Sequence, residues 1–123
     1  MKIKFDESKP IYLQIGDAVK KAIARGELKM GEKVPSVREL AIELKVNPNT
    51  VQHAYQELIR EGIIFTKRGQ GNFVSQDPEK IKTLRQQLIK EIVENFVREI
   101  NEVGFSISSK DILELLEEKD DRS

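Results

Sequence analysis

The chain carries two short amphipathic stretches, "SVRELAIEL" from Ser36 and "NPNTVQHAYQELIREG" from Asn47, with only Lys45 and Val46 between them. So short a connection joins two helices only across a tight turn, the arrangement of a helix-turn-helix. Each stretch has its own start signal. Ser36 and Glu39 stand at N-cap and N3 of a capping box, while Asn47 suits the N-cap of the second helix and Pro48 its first helical position. Val51, Ala54, Tyr55, Leu58 and Ile59 recur at helical spacing and are expected to face inward, and Gly62 ends the helix.

Upstream, "PIYLQIGDAVKKAIARG" places Ile11, Ile15, Ala18, Val19, Ala22 and Ile23 on one helical face, with Pro10 at N1 and Gly26 at the stop. "ELKMGEKVP" reads as a connection punctuated by Gly31 and Pro35. Beyond Gly62 the period changes. "IIFTKRGQGNFVS" sets β-branched and aromatic residues on both sides of Lys67-Arg68-Gly69-Gln70-Gly71, a β-hairpin with a basic, glycine-rich tip. Helix, helix-turn-helix and hairpin in that order make a winged helix-turn-helix, mainly α with a small β-hairpin, over residues 1–75.

Residues 76–123 read as a two-helix C-terminal tail. Asp77 is the N-cap and Pro78 the N1 of a long helix reaching about Val103, with Ile81, Leu84, Leu88, Ile92, Phe96 and Ile100 along its apolar stripe. At about 1.5 Å per residue this helix extends for roughly 40 Å, more than a domain of this size covers on one side. A second copy of the chain is the expected cover, which makes the tail a dimerisation element. The connector "VSQDPEK" is expected to leave a short hinge before it. After Gly104, Ser108 and Asp111 form a second capping box ahead of Ile112, Leu113, Leu115 and Leu116.

Composition narrows the chemistry. A chain of 123 residues with 38% apolar content supports one modest core, so a large enzyme is not expected. The absence of cysteine removes disulfides, thiolate zinc sites and thiol nucleophiles. His53 is the single histidine, too few for a metal cluster or a histidine-based triad. Gly69 and Gly71 form a lone G-x-G outside any strand-to-helix setting, and no Walker motif occurs. No uncharged run approaches the roughly 20 residues that span a bilayer, and the N-terminus lacks a long apolar segment. A cytoplasmic protein without cofactor, enzymatic activity or membrane partner is therefore expected. The net charge is zero but unevenly spread: residues 1–75 carry 13 basic against 9 acidic residues, and residues 76–123 carry 8 against 12. Such asymmetry hints at a nucleic-acid partner for the first part.

The residue types at the second helix of the pair agree with that partner. Asn49 and Gln52 can present a donor and an acceptor together, as adenine N6 and N7 require. Thr50 and the first-turn N–H groups suit a phosphate, aided by the helix dipole, with Asn47 and His53 beside them. Arg38 can reach a phosphate or the O6/N7 edge of guanine. Lys67, Arg68, Gly69, Gln70 and Gly71 are expected to lie along the minor groove or the backbone. Plainer roles exist for each: helix initiation for Asn47, solvated charge for Arg38, Lys67 and Arg68. A winged-helix protein-interaction module is the alternative reading, but such a surface would carry exposed aromatics where this one has amides.

The linked features "GEKVPSVRELA", "VNPNTV", "LIREGII" and "RGQGNFV" closely resemble the winged helix-turn-helix of the GntR family of bacterial transcription regulators, over about residues 9–75. The resemblance implies DNA contacts from Arg38, Asn49, Thr50 and the wing at Gly69 to Gly71. Pro48 stands where many members carry arginine, so no base contact is implied there. The "VNPNTV" form and the short tail resemble the YtrA subgroup. That implies a homodimer on double-stranded operator DNA with an inverted repeat, usually a repressor and often encoded beside membrane-transporter genes. Only 48 residues follow Ser75, too few for the tail alone to enclose a ligand pocket of several hundred Å3, and the sequence names no effector.

Overall fold

The computed structural model describes residues 1–104 and 107–122. Its elements are α1 (Ile11–Ala24), α2 (Val37–Leu44), α3 (Pro48–Arg60), β1 (Ile64–Lys67), β2 (Gly71–Val74), α4 (Pro78–Glu102) and α5 (Ser109–Arg122). They form two compact units, Met1–Leu88 and Ile89–Ser123.

Local chemistry sets the helix ends. Ser36 Oγ accepts from the Glu39 N–H at 3.1 Å, and Asn47 Oδ1 accepts from the Asn49 N–H at 2.8 Å. The turn between α2 and α3 is made by Lys45, which adopts the left-handed conformation at φ 57°. That conformation costs a side-chain-bearing residue about 1–2 kcal/mol. It is held by the Val46 N–H returning to the Ala41 carbonyl at 3.0 Å. In the hairpin, β1 and β2 pair antiparallel from Ile64↔Val74 to Lys67↔Gly71. The Gln70 N–H closes the tip onto the Lys67 carbonyl at 2.9 Å, with Gly69 at φ +77° in the third turn position, where a side chain would be strained.

One piece of the wing is absent from the sequence reading. The segment from Gly31 to Val34, expected as a plain connection, runs along the second edge of β2. The Gly31 and Val34 N–H groups donate to the Val74 and Asn72 carbonyls at 3.0 and 2.9 Å, the Val74 N–H donates to the Glu32 carbonyl at 2.9 Å, and Lys33 bridges Phe73. β2 is thus bonded on both edges, one of which a lone two-stranded hairpin would leave to solvent.

The core of the Met1–Leu88 unit joins Ile15, Val19 and Ile23 of α1, Leu40 and Ala41 of α2, Val51, Ala54, Tyr55 and Leu58 of α3, and Ile64 and Val74 of the hairpin. Tyr55 has no exposed surface, and its hydroxyl donates to the Pro35 carbonyl at 2.6 Å, which satisfies the buried phenol. Ile11 and Ile59, expected inward, are 41% and 37% exposed. Ile11 occupies the opening turn of α1, and Ile59 lies at the margin of the α3 stripe.

Two further expectations are corrected at the start of α4. Leu84 was assigned to a dimer interface, but it is only 4% exposed and lies with Ile81 inside this unit's own core, while Leu88 packs partly against the same core. An apolar stripe on a helix records that a face is covered, not by what. Nor is the connector before α4 a hinge. Ser75 is buried, its N–H donates to the Ile63 carbonyl at 2.9 Å and its Oγ accepts from the Asp77 N–H at 3.2 Å. Arg85 Nε then donates to the Ala24 carbonyl at 2.9 Å, satisfying an acceptor at the end of α1.

In the Ile89–Ser123 unit, Ile89, Ile92, Val93, Phe96 and Val97 of α4 are each between 42% and 62% exposed, and Leu113, Leu115 and Leu116 of α5 are exposed as well. Ile100 is half-buried. The second capping box forms as expected: the Asp111 N–H donates to Ser108 Oγ at 3.2 Å and the Ser108 N–H to Asp111 Oδ2 at 3.1 Å.

Candidate nucleic-acid interface

Helix α3 has two chemically distinct faces. Val51, Ala54, Tyr55 and Leu58 are buried, whereas Asn49, Gln52, His53, Gln56 and Arg60 are exposed at spacings of three and four. The outward face is therefore a row of amides with one imidazole. Gln56, one turn beyond Gln52, belongs to it and escaped the sequence reading. Arg60 adds little free charge because its guanidinium pairs with Glu57, and that hydrogen bond holds the Glu57 carboxyl below its ordinary range.

The helix starts differ from expectation. Asn47 spends its Oδ1 on the Asn49 N–H, Pro48 has no N–H, and the Thr50 N–H donates to the Asn47 carbonyl at 2.9 Å. The first-turn donors of α3 are thus already hydrogen-bonded within the helix start; what remains open there are the side chains of Asn49 and half-buried Thr50. At α2, by contrast, Ser36 takes only the Glu39 N–H. Arg38 is exposed in that first turn and forms no ion pair among the described residues. An anion near this surface is better met by the start of α2 than by that of α3.

His53 does not swing free. Its ring stacks on Tyr12 of α1, with centroids 3.7 Å apart and planes 12° from parallel. No pattern in the sequence links those two positions, because the pairing depends on how α1 crosses α3. At the wing, Lys67 Nζ lies 4.6 Å from the centre of the Phe73 ring and 5.8 Å from that of Phe65, a cation–π contact that limits the side chain's freedom. Arg68, Gly69 and Gln70 are exposed at the tip and Gly71 is half-buried beside it. Thr66 Oγ1 and Asn72 Oδ1, 2.6 Å apart, hold the opposite face. Among the described residues no group of acidic or histidine side chains is placed to hold a metal ion, and no helix is long and apolar enough to cross a membrane.

The family model for bacterial regulatory proteins, gntR family, matches residues 11–74, from the first residue of α1 to the last of β2. The chain belongs to the GntR family. Its relatives include the uncharacterized HTH-type transcriptional regulator YhcF of Bacillus subtilis (strain 168), 48% identical over 103 residues that make up 84% of this chain and 85% of the relative. The HTH-type transcriptional repressor YtrA of the same organism is 44% identical over 93 residues, 71% of this chain and 72% of its own. Among solved structures, a GntR family transcriptional regulator from Listeria monocytogenes superposes with a TM-score of 0.83 at 40% identity, covering 93% of this chain and 98% of that one. AraR(DBD) in complex with operator ORX1 superposes with a TM-score of 0.53 at 25% identity, over 61% of this chain and 92% of its own. As a GntR-family member the protein is a DNA-binding transcription regulator rather than an enzyme, and its mainly helical fold with a two-stranded wing is the one expected from the sequence.

Proposed function

We propose that the protein is a cytoplasmic homodimeric repressor whose two winged units, over residues 1–75, read the halves of an inverted-repeat operator while the helices after residue 76 hold the copies together. The observation that carries this reading is the outward face of α3, where Asn49, Gln52, His53 and Gln56 stand exposed on a helix whose other face is buried. Exposed amides on a firmly seated helix are suited to the paired donor and acceptor of an adenine edge in the major groove. Phosphate contacts come from Arg38 at the start of α2 and from Lys67 and Arg68 on the wing, with the backbone of Gly69, Gln70 and Gly71 approaching the duplex closely. The dimer contact is assigned to Ile92, Phe96 and Ile100, extended by Ile89, Val93 and Val97, whose exposed apolar surface suits a second copy. Repression follows the likeness to YtrA.

The test is a mobility shift on DNA upstream of the protein's own operon, followed by footprinting. Two protected half-sites are expected, with centres about 34 Å apart or a multiple of it. Inserting five base pairs between them turns one half by about half a helical turn and should abolish tight binding, while ten should partly restore it. Equal binding at all three spacings would mean that the two heads act independently, and the dimeric reading would be withdrawn.

A further inference from the structure

We infer that Lys33, from the segment before α2, is a DNA-backbone contact and works with Lys67 as a two-lysine phosphate clamp on the outer face of the wing. The inference rests on the DNA-reading function proposed above and adds a residue and an element to it.

Residues directly opposite one another in an antiparallel pair project from the same face, and so do residues two apart along a strand. Phe65 opposes Phe73 and Lys67 opposes Gly71, while Lys33 bridges Phe73 from the other edge. Lys33, Phe65, Lys67, Gly71 and Phe73 therefore share one face. Ile64 and Val74 are buried in the core and stand on the opposite face by the same alternation, so the face with both lysines points outward.

The direction of the Lys33 side chain is given by Gly71. A Cβ built on Gly71 would meet Lys33 Cε at 2.8 Å and Nζ at 3.6 Å. Lys33 is bridged to Phe73, yet the end of its side chain lies over Gly71, two residues nearer the hairpin tip, a lean of about 7 Å along the strand. Any side chain at Gly71 would block that path. Lys67 approaches the same patch from the other edge with its ammonium over Phe73. Neither lysine pairs with a carboxylate among the described residues, although Lys20, Arg25, Arg60 and Lys90 do. Two cations directed onto one outer face of the wing repel one another unless an anion lies between them. In a unit that reads DNA, the polyanion that fits such a face is the duplex backbone.

Lys33→Met keeps the stem over Gly71 and removes the charge; Lys33→Gln is a second variant with a polar end. Binding to operator and to random duplex would be titrated by fluorescence anisotropy across a salt series, with Lys67→Met and wild type alongside and a thermal melt reading the fold. Both Lys33 variants should melt like wild type and make the slope of log Kobs against log salt shallower by about 0.9 on both DNAs, and Lys33→Arg should restore it. An unchanged slope in the Lys33 variants with a shallower one in Lys67→Met would remove Lys33 from the interface while leaving the DNA-reading function intact. A loss confined to operator DNA would make Lys33 a base reader and overturn the clamp. Wild type without salt-dependent DNA binding would defeat the proposed function itself, and this inference with it.

Discussion

Tyr55→Phe tests the hydrogen bond that ties the recognition helix to the start of α2. The Tyr55 hydroxyl donates to the Pro35 carbonyl at 2.6 Å from a side chain with no exposed surface. Removing it gives up a bond worth about 0.5–1.5 kcal/mol net and leaves an acceptor short of its donor, for which the cost runs to about 1–3 kcal/mol; about 1.5 kcal/mol is expected. For a unit of this size that corresponds to a Tm lower by roughly 6–12 °C. The pH dependence supplies a second check. Burial raises the Tyr55 phenol above its ordinary pKa of 10.0, and Glu39 and Glu43 add to the shift. The folded state therefore keeps its proton where the unfolded chain loses it. Stability from this group is whole below about pH 10 and falls above it by about 1.4 kcal/mol per pH unit. Phenylalanine has no such loss, so the advantage of wild type at pH 8 should vanish about one unit above pH 10. Urea unfolding of both proteins at one fixed concentration, from pH 8 to pH 11, measures the gap, since the two differ only in the Tyr55 hydroxyl. A gap below about 0.5 kcal/mol at pH 8, or one that stays constant to pH 11, would refute the account.

Asn49→Ala should cost about 1–3 kcal/mol on operator DNA and little on random DNA; equal losses on both would take Asn49 out of base readout. Lysine at both Ile92 and Phe96 would place charge on the face assigned to a second copy, so sedimentation should find monomers while the winged unit still melts cooperatively. A fully dimeric double variant would locate the contact elsewhere.

What could be read from the sequence was mainly what short range decides. Ser36 with Glu39, Asn47 before Pro48, and Ser108 with Asp111 are caps whose partners lie within three residues, and all three form. The basic glycine tip at residues 67–71 is equally local. Features decided at long range were not legible. Nothing near Gly31 to Val34 announces that it will bond to β2 some forty residues later, because that edge exists only once the hairpin has folded against α3. The face shared by Lys33 and Lys67, and the stack of Tyr12 on His53, were invisible for the same reason. At the start of α3 the cap at Asn47 is legible, but how many first-turn donors the cap and the Asn47 carbonyl take up is not.

The Arg85 bond to Ala24 and the burial of Ile81 and Leu84 bear on how such regulators can be recombined. A chimera joined after Ser75 would strip two apolar side chains from the reading head, each worth about 1.5–3 kcal/mol when fully buried, along with a donor at the end of α1. That loss approaches the lower end of the roughly 5–15 kcal/mol on which a small domain stands. A junction after Leu88 keeps all three. The smallest exchangeable cassette therefore ends inside a helix, three turns into α4, rather than at the loop where the wing ends.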